Sequence, residues 1–269
     1  MNQCTYEHHY GIRQNKLCPF FLRTGKRLRD TVANWHKNIE VFFITGGNGH
    51  IRCGVNEYEL TAGSLVIVNS GSVHRIYSEK GIDYFCVIVD DAFCKENGLD
   101  TEKARFEEHF CDTDTEKIYL EMVELMQKNS SENPLQIAKT RSAVLQLLIN
   151  LFEHHCILLA DSDQAQPRSD EYVKKAILYI NDSYTAPITL EDIARAVGIS
   201  KFHLSREFKK YTNQTLFTYL NFLRCKNAEL CIQHGMSVTN AAYENGFETL
   251  SYFSRTYKNL MGHPPSSEI

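Results

Sequence analysis

Ile193-Ala-Arg-Ala-Val-Gly-Ile-Ser-Lys-Phe-His-Leu-Ser-Arg-Glu-Phe-Lys-Lys210 and Ala241-Ala-Tyr-Glu-Asn-Gly-Phe-Glu-Thr-Leu-Ser-Tyr-Phe-Ser-Arg-Thr-Tyr-Lys-Asn259 are two copies of one pattern. Ala194 matches Ala242 and Gly198 matches Gly246 at equal spacing; Leu204-Ser-Arg206 matches Phe253-Ser-Arg255 after a turn one residue longer. The pattern fits two helices crossing steeply. A small residue on the first helix permits close approach, and a glycine accepts the positive φ of the turn. Leu204 and Phe208, or Phe253 and Tyr257, anchor the second helix. The opposite face is left to Lys201, Phe202, Ser205, Arg206 and Lys209 in the first copy. In the second copy it falls to Leu250, Ser251, Ser254, Arg255 and Lys258. A single copy is compatible with an ordinary helical bundle. Two matched copies with Ser-Arg on the open face point to double-stranded DNA.

Between the copies, Leu216–Gln233 reads as a helix that stops at Gly235. Eighteen residues at about 1.5 Å rise span about 27 Å. Successive major grooves on one DNA face recur every ~34 Å, so this helix could hold one recognition helix in each groove. Thr189 and Asp192 form a capping pair at the start of the first copy.

Upstream the texture differs. From about residue 15 to 90, short runs rich in Val, Ile, Phe and Tyr are punctuated by Gly and Asn, which indicates an all-β sandwich or barrel. Val41-Phe-Phe-Ile44 is expected to end at Gly46-Gly-Asn-Gly49, and Leu65-Val-Ile-Val68 at Asn69-Ser-Gly71; Ile76 and Tyr84–Val89 complete the strand set. From about 102 the period becomes helical. Ile118, Met122, Leu125 and Met126 make one stripe, and Val144, Leu147, Leu148, Leu151 and Phe152 another. This predicts helices over about 102–128 and 134–160, whose stripes pack on the barrel or on a second copy. The polar, Pro-containing stretch Asp161–Asp170 is read as a linker. The chain is therefore expected to be α+β, with domains at 1–160 and 171–269 joined by 161–170.

Composition narrows the class. The chain has 269 residues, 43% of them hydrophobic and 23% charged, as in ordinary globular protein. No apolar run reaches the ~18 residues of a membrane span, and the N-terminus lacks a signal-peptide pattern. Nine cysteines, an odd number without C-x-x-C spacing, read as reduced thiols in the cytoplasm. The net charge of −4 argues against nucleic acid if taken alone. It is unevenly distributed. Residues 1–169 carry 18 basic against 23 acidic side chains, and residues 170–269 carry 11 against 10. The C-terminal part is thus weakly basic, which predicts modest non-specific affinity for DNA.

Several C-terminal stretches strengthen the DNA reading: Ile188-Thr-Leu-Glu-Asp-Ile-Ala194, Ser200–Lys209, Arg224 followed by Ala228, Gly246-Phe247, Tyr252–Lys258 and Gly262-His-Pro-Pro265. Residues ~171–265 resemble the tandem helix-turn-helix domain of the AraC/XylS family of transcription regulators. The resemblance implies base-edge contacts from Phe202, Ser205, Arg206, Leu250, Ser251, Ser254 and Arg255, with Lys201, Lys209 and Lys258 on phosphates. Leu250 stands where the family often has a polar residue.

The front half resembles the cupin-like sensor domain of the same family. His36, Glu40 and Gly47 fit the first cupin motif, with Leu28 and Asn34 in its first Gly and His positions. Gly63, Gly71 and His74 fit the second, with Asn69 for its Pro and Ser78 for its Asn. The resemblance implies that Asn34, His36, Glu40 and His74 contact a small-molecule effector such as a sugar, with no cofactor assigned. A metal held by His36, Glu40 and His74, and a purely structural rim, are the alternatives. His8-His9 and His154-His155 are read as a terminal pair and a helix-end pair without metal. The resemblance further implies a homodimer formed through the two middle helices, and no catalytic residues are assigned. Transcriptional activation, with RNA polymerase as a further partner, and repression both stay open. So do a cupin metalloenzyme with a DNA-binding tail and a regulator whose β domain only dimerises.

Overall fold

The computed structural model describes residues 19–128, 133–158 and 169–268. Two compact units are present, dividing in the region of residues 165–166, and each is described by itself.

The N-terminal unit is a curled antiparallel sheet backed by two helices. Its strands are β1 (Phe20–Asp30), β2 (Ile39–Cys53), β3 (Asn56–Thr61), β4 (Leu65–Val68), β5 (His74–Val89), β6 (Ala104–Phe106), β7 (His109–Phe110) and β8 (Cys156–Leu158). Helix α1 (Asp91–Glu96) follows β5, and α2 (Thr113–Gln127) and α3 (Pro134–His154) precede β8. Hydrogen bonding runs in the order β1-β5-β2-β4-β7, with β3 added to β2, while β6 and β8 pair separately.

The glycine stretch 46–49 does not stop the strand as the sequence suggested. β2 runs through it, with register shifts between Ile44 and Gly46 and between Gly47 and His50. Gly47 has φ +79, and a Cβ there would lie 2.3 Å from the Gly81 carbonyl oxygen. The glycines therefore let two long strands bend together at contact distance, a bulge rather than a stop. β5 is likewise one strand from His74 to Val89, not two.

Alternation along β2 divides the core. Ile39, Val41 and Phe43 pack with Tyr119, Met122, Val144, Leu147, Leu148 and Leu151 of the helices. Phe42 and Ile44 face the other way, into an apolar interior with Ile51, Val66, Ile76, Tyr84 and Ile88. The stripes of α2 and α3 are thus used against the sheet, one of the two packings the sequence allowed. The first helix starts at Thr113 rather than near 102, because Asp112 caps it and Ala104–Phe106 is drawn into pairing with Cys156–Leu158. That same pairing ends the second helix at His154 rather than 160.

The C-terminal unit is all helical: α4 (Ser169–Ser183), α5 (Leu190–Val197), α6 (Lys201–Thr212), α7 (Leu216–Gln233), α8 (Val238–Glu244) and α9 (Leu250–Met261), closed by a 3₁₀ turn at Pro265–Glu268. Ser169 and Asp170, assigned to the linker from sequence, begin α4; residues 161–168 lie outside the described residues. The capping pair forms at the head of α5: Thr189 accepts from the Asp192 amide, and the Asp192 carboxylate accepts from the Thr189 amide. Among the described residues, no helix is long and apolar enough to cross a membrane.

Gly198 and Gly246 both have φ +84, but their surroundings differ. A Cβ on Gly198 would meet nothing within 4 Å, whereas one on Gly246 would lie 2.8 Å from the Thr185 carbonyl oxygen. Gly246 therefore serves the turn and also the seam between the two helix-turn-helix modules. Gly198→Ala should cost only the left-handed backbone term, about 1–2 kcal/mol. Gly246→Ala should cost visibly more in thermal unfolding of the full chain. Equal losses would show that the backbone approach at Thr185 contributes nothing.

Candidate functional site

Two sites are assembled, one in each unit. In the C-terminal unit α5 and α6 make the first helix-turn-helix, and α8 and α9 the second. The expected anchors are buried: Leu204, Phe208, Phe253 and Tyr257 are each 0% exposed. Ser200 caps α6 by accepting from the His203 amide, and Thr249 caps α9 by accepting from the Tyr252 amide. These caps fix where each recognition helix begins.

The open face of α6 carries Phe202, Ser205, Arg206 and Lys209, all exposed; Phe202 is 79% accessible, far above what a core aromatic shows. Lys201 is half-buried and pairs with Glu191 at the head of α5. On α9, Ser251, Arg255 and Lys258 are exposed and Ser254 is half-buried. Leu250 departs from expectation. It is half-buried and packs on the second module's core with Phe253, so it is an anchor at the helix head rather than part of the open face.

Three cations of α6, Lys201, Arg206 and Lys210, already have partners. Arg206 Nε lies 3.3 Å from Glu207 Oε1, and its Nη2 lies 3.0 Å from His203 Nδ1. Glu207 is buried, with the Lys210 ammonium 4.0 Å from its other oxygen. Arg255 lies against the Tyr252 ring instead, with its guanidinium carbon 5.8 Å from the ring centre. His203 and Glu191 were missed as participants. The i,i+3 spacing of His203 and Arg206 was the available signal for the first.

Helix α7 holds the modules together. Arg224 was noticed in the sequence only as part of the family pattern. It is 9% exposed, donating from Nε to the Tyr184 carbonyl at 2.6 Å and from Nη2 to the Ala186 carbonyl at 2.8 Å. Its guanidinium also lies over the Phe247 ring, next to Gly246. One side chain thereby ties the loop before α5 to the turn before α9. Asn221 on the same helix donates to the Tyr252 hydroxyl at 3.0 Å.

The second site is at one end of the sheet interior in the N-terminal unit. Glu40 shares the inward face of β2 with Phe42 and Ile44, by the two-residue alternation of a strand. His36 stands in the loop before β2, and His74 opens β5. Their ligand atoms lie within 4.8 Å of one another. His36 Nε2 is 3.0 Å from Glu40 Oε1, and His74 Nε2 is 3.6 Å from Glu40 Oε2. His36 Nδ1 is 2.9 Å from the Asn38 carbonyl oxygen, and His74 Nδ1 is 3.1 Å from that of Ser72. Burial pushes His74 down to about 4, against the opposing pull of Glu40. At neutral pH that ring is therefore uncharged beside a carboxylate.

Asn34 joins this site through its main chain: it exchanges two hydrogen bonds with the backbone of His74, at 3.1 and 2.9 Å, and so fixes where the His74 ring stands. Asn69 has a structural task. Its buried amide accepts from the Phe106 amide at 2.8 Å and donates to the Phe106 carbonyl at 3.0 Å. Of the other histidines, His155 is stacked on Phe110 at 3.8 Å between ring centres, and His8 and His9 lie outside the described residues. The thiols of Cys53, Cys86, Cys94, Cys111, Cys156, Cys225 and Cys231 are all unbridged.

A family model described as an AraC-like ligand binding domain matches residues 21–148, and one described as a helix-turn-helix domain matches residues 193–268. The HTH-type transcriptional regulator YdeC of Bacillus subtilis is 25% identical over 253 residues, 87% of this chain and 84% of that protein. The Msm operon regulatory protein of Streptococcus mutans is 21% identical over 264 residues, covering 96% and 90%. Among solved structures, an apo form of ToxT from Vibrio cholerae superposes with a TM-score of 0.51 at 16% identity, covering 92% of this chain and 96% of that one. The last likeness concerns the fold.

Glu207 competes with DNA for Arg206. Glu207→Gln keeps the shape and removes the charge. Glu207 is buried but Arg206 is open to solvent, so the pair is taken at the exposed-pair value of about 0.2–1 kcal/mol as a lower bound, and duplex affinity should rise at least about 1.4–5-fold in fluorescence anisotropy at fixed salt. Unchanged affinity would mean that Arg206 does not reach DNA.

Proposed function

The chain belongs to the AraC/XylS family of DNA-binding transcription regulators, and we propose that it reads a two-groove operator sequence under the control of a small effector held at His36, Glu40 and His74. The observation that carries this reading is the pair of matched recognition helices, α6 and α9, whose open faces present Arg206 and Arg255 and whose spacing is set by α7. Each arginine can bond guanine O6 and N7 bidentately, the contact that reads sequence, while Lys209 and Lys258 suit phosphates. Phe202 suits the methyl of a thymine, and Ser205, Ser251 and Ser254 suit base edges or phosphates. Lys201 reaches a phosphate only by leaving Glu191.

A homodimer would bring four modules to paired half-sites. Its contact would use the groove between α2 and α3 lined by Leu125, Ser142 and Gln146 together with Ile118, Met122 and Ala143, which also pack toward the sheet. An effector acts by binding one arrangement of the chain more tightly than another. A sugar is one chemistry compatible with the family resemblance, and the cytoplasm is the setting this function requires. RNA polymerase is a further partner if the regulator activates.

The test is selection of bound DNA from random duplexes by the full chain, with and without metabolite extract. The expected product is a motif spanning two successive major grooves, changed in affinity by the extract. A footprint confined to one groove would overturn the tandem reading. On the selected duplex, Arg206→Ala should cost about 1–3 kcal/mol and relax one base position. Equal loss on random duplexes would reassign Arg206 to phosphate. The salt slope should correspond to fewer than about eight phosphates per chain.

A further inference from the structure

We propose that His203 is a positioning residue for sequence reading: its Nδ1 holds Arg206 so that one edge of the guanidinium stays open to a guanine. This deepens the operator-reading function above and rests on it. A guanidinium only donates, so the 3.0 Å contact from Arg206 Nη2 to His203 Nδ1 requires a lone pair on that nitrogen. His203 is therefore a neutral ring with its proton on Nε2. The ring is itself held in place. Its backbone amide donates to the Ser200 cap, and the ring meets Tyr172 of α4 edge-to-face at 79°, with centres 5.9 Å apart. An acceptor fixed from two elements thus faces a side chain that is 72% exposed.

The contact decides which hydrogens remain. Nε points to Glu207 Oε1, and one hydrogen of Nη2 is used on His203. Both hydrogens of Nη1 and the second of Nη2 are left, and they include the end edge of the fork. That edge presents two parallel N–H groups, the arrangement that guanine O6 and N7 accept. Exchange of Glu207 for DNA leaves the His203 bond intact, because that bond uses a hydrogen the end-on contact does not need. An arginine side chain loses rotamer freedom on binding, and holding it beforehand lowers that cost for the orientation that suits a guanine. A phosphate accepts from many directions and gains less. The second module is built differently at the matching place. Tyr252 stands where His203 does in the first, and Arg255 lies over its ring instead of bonding to an acceptor. A ring face attracts the cation without fixing its rotation. The first module should therefore read its base more sharply than the second.

The experiment uses the full chain on the duplex returned by the selection above, scored against a random duplex. His203→Leu keeps bulk and removes the acceptor. Affinity for the selected duplex should fall about 2–13-fold, the worth of one hydrogen bond, while affinity for the random duplex holds. His203→Asn, whose amide oxygen stands close to the place of Nδ1, should restore most of the loss; His203→Tyr, which copies the second module, should not. In an Arg206→Ala background, His203→Leu should change nothing. Nitrogen NMR of the unaltered chain in mildly alkaline buffer should show the His203 proton on Nε2, a measurement that needs neither DNA nor a variant. Equal loss on both duplexes, a full effect of His203→Leu without Arg206, no rescue by His203→Asn, or a proton on Nδ1 would each overturn the proposal. A selection that returns no motif would overturn the operator reading and this proposal with it, whereas a clear motif with an indifferent His203→Leu overturns only this one.

Discussion

Two recognition helices can read one duplex only if their separation and orientation are fixed before binding, and here that constraint falls on Arg224. Burying a guanidinium costs solvation. The cost is offset by charge-assisted hydrogen bonds to two main-chain carbonyls and by the face of Phe247. A lysine in its place would present one point charge and could not span both carbonyls and the ring with the same geometry. Gly246 completes the seam from the other side, because only a residue without Cβ lets the second turn close on Thr185. α7 is thus more than a spacer of suitable length. It ties the loop preceding one recognition unit to the turn preceding the other, so strain introduced at either is felt at both.

The N-terminal unit follows a related logic. Its two long strands must bend together, and Gly47 allows this where any side chain would strike Gly81. The bend leaves β2 with one face toward α2 and α3 and the other toward the sheet interior. Glu40 lies on the inward face next to His36 and His74, and Asn34 fixes the start of β5 opposite. A charged side chain that is 4% exposed on a strand of Ile, Val and Phe would be destabilising without compensation. Its carboxylate faces His36 Nε2 at 3.0 Å and His74 Nε2 at 3.6 Å.

Much of this was legible in the sequence because it is local. The two Ala…Gly turns, the caps at Thr189 and Gly235, the anchors Leu204, Phe208, Phe253 and Tyr257, and the change from strand to helix texture all follow from periodicity and turn chemistry. The His36, Glu40 and His74 grouping was recoverable only through motif spacing, since its members come together by strand pairing. What stayed hidden depends on distant backbone. Gly46–Gly49 reads as a strand end unless Gly81 is known to lie across from it. The helix boundaries near 102 and 160 shift because Ala104–Phe106 finds Cys156–Leu158, a pairing between segments about fifty residues apart. Leu250 looked exposed by analogy with its position in the pattern, yet a leucine at a helix head gains more by folding onto Phe253 than by facing water. The carbonyls of Asn38 and Ser72, which fix the two imidazoles, carry no side-chain signature at all.

Charge is the point at which sequence and structure together say more than either alone. A C-terminal unit with 11 basic and 10 acidic side chains cannot hold DNA by field strength. The structure shows where part of the acid is placed: Glu191 against Lys201, and Glu207 against Arg206 and Lys210. Each pair lowers attraction to any phosphate backbone, because the cation must exchange one partner for another. The exchange is recovered only where the new partner is at least as good, and a guanine edge aligned with a guanidinium meets that condition better than a mobile phosphate contact. Intramolecular acids next to recognition cations therefore cost non-specific binding more than specific binding. A weakly basic regulator can in this way discriminate among sequences with few direct base contacts.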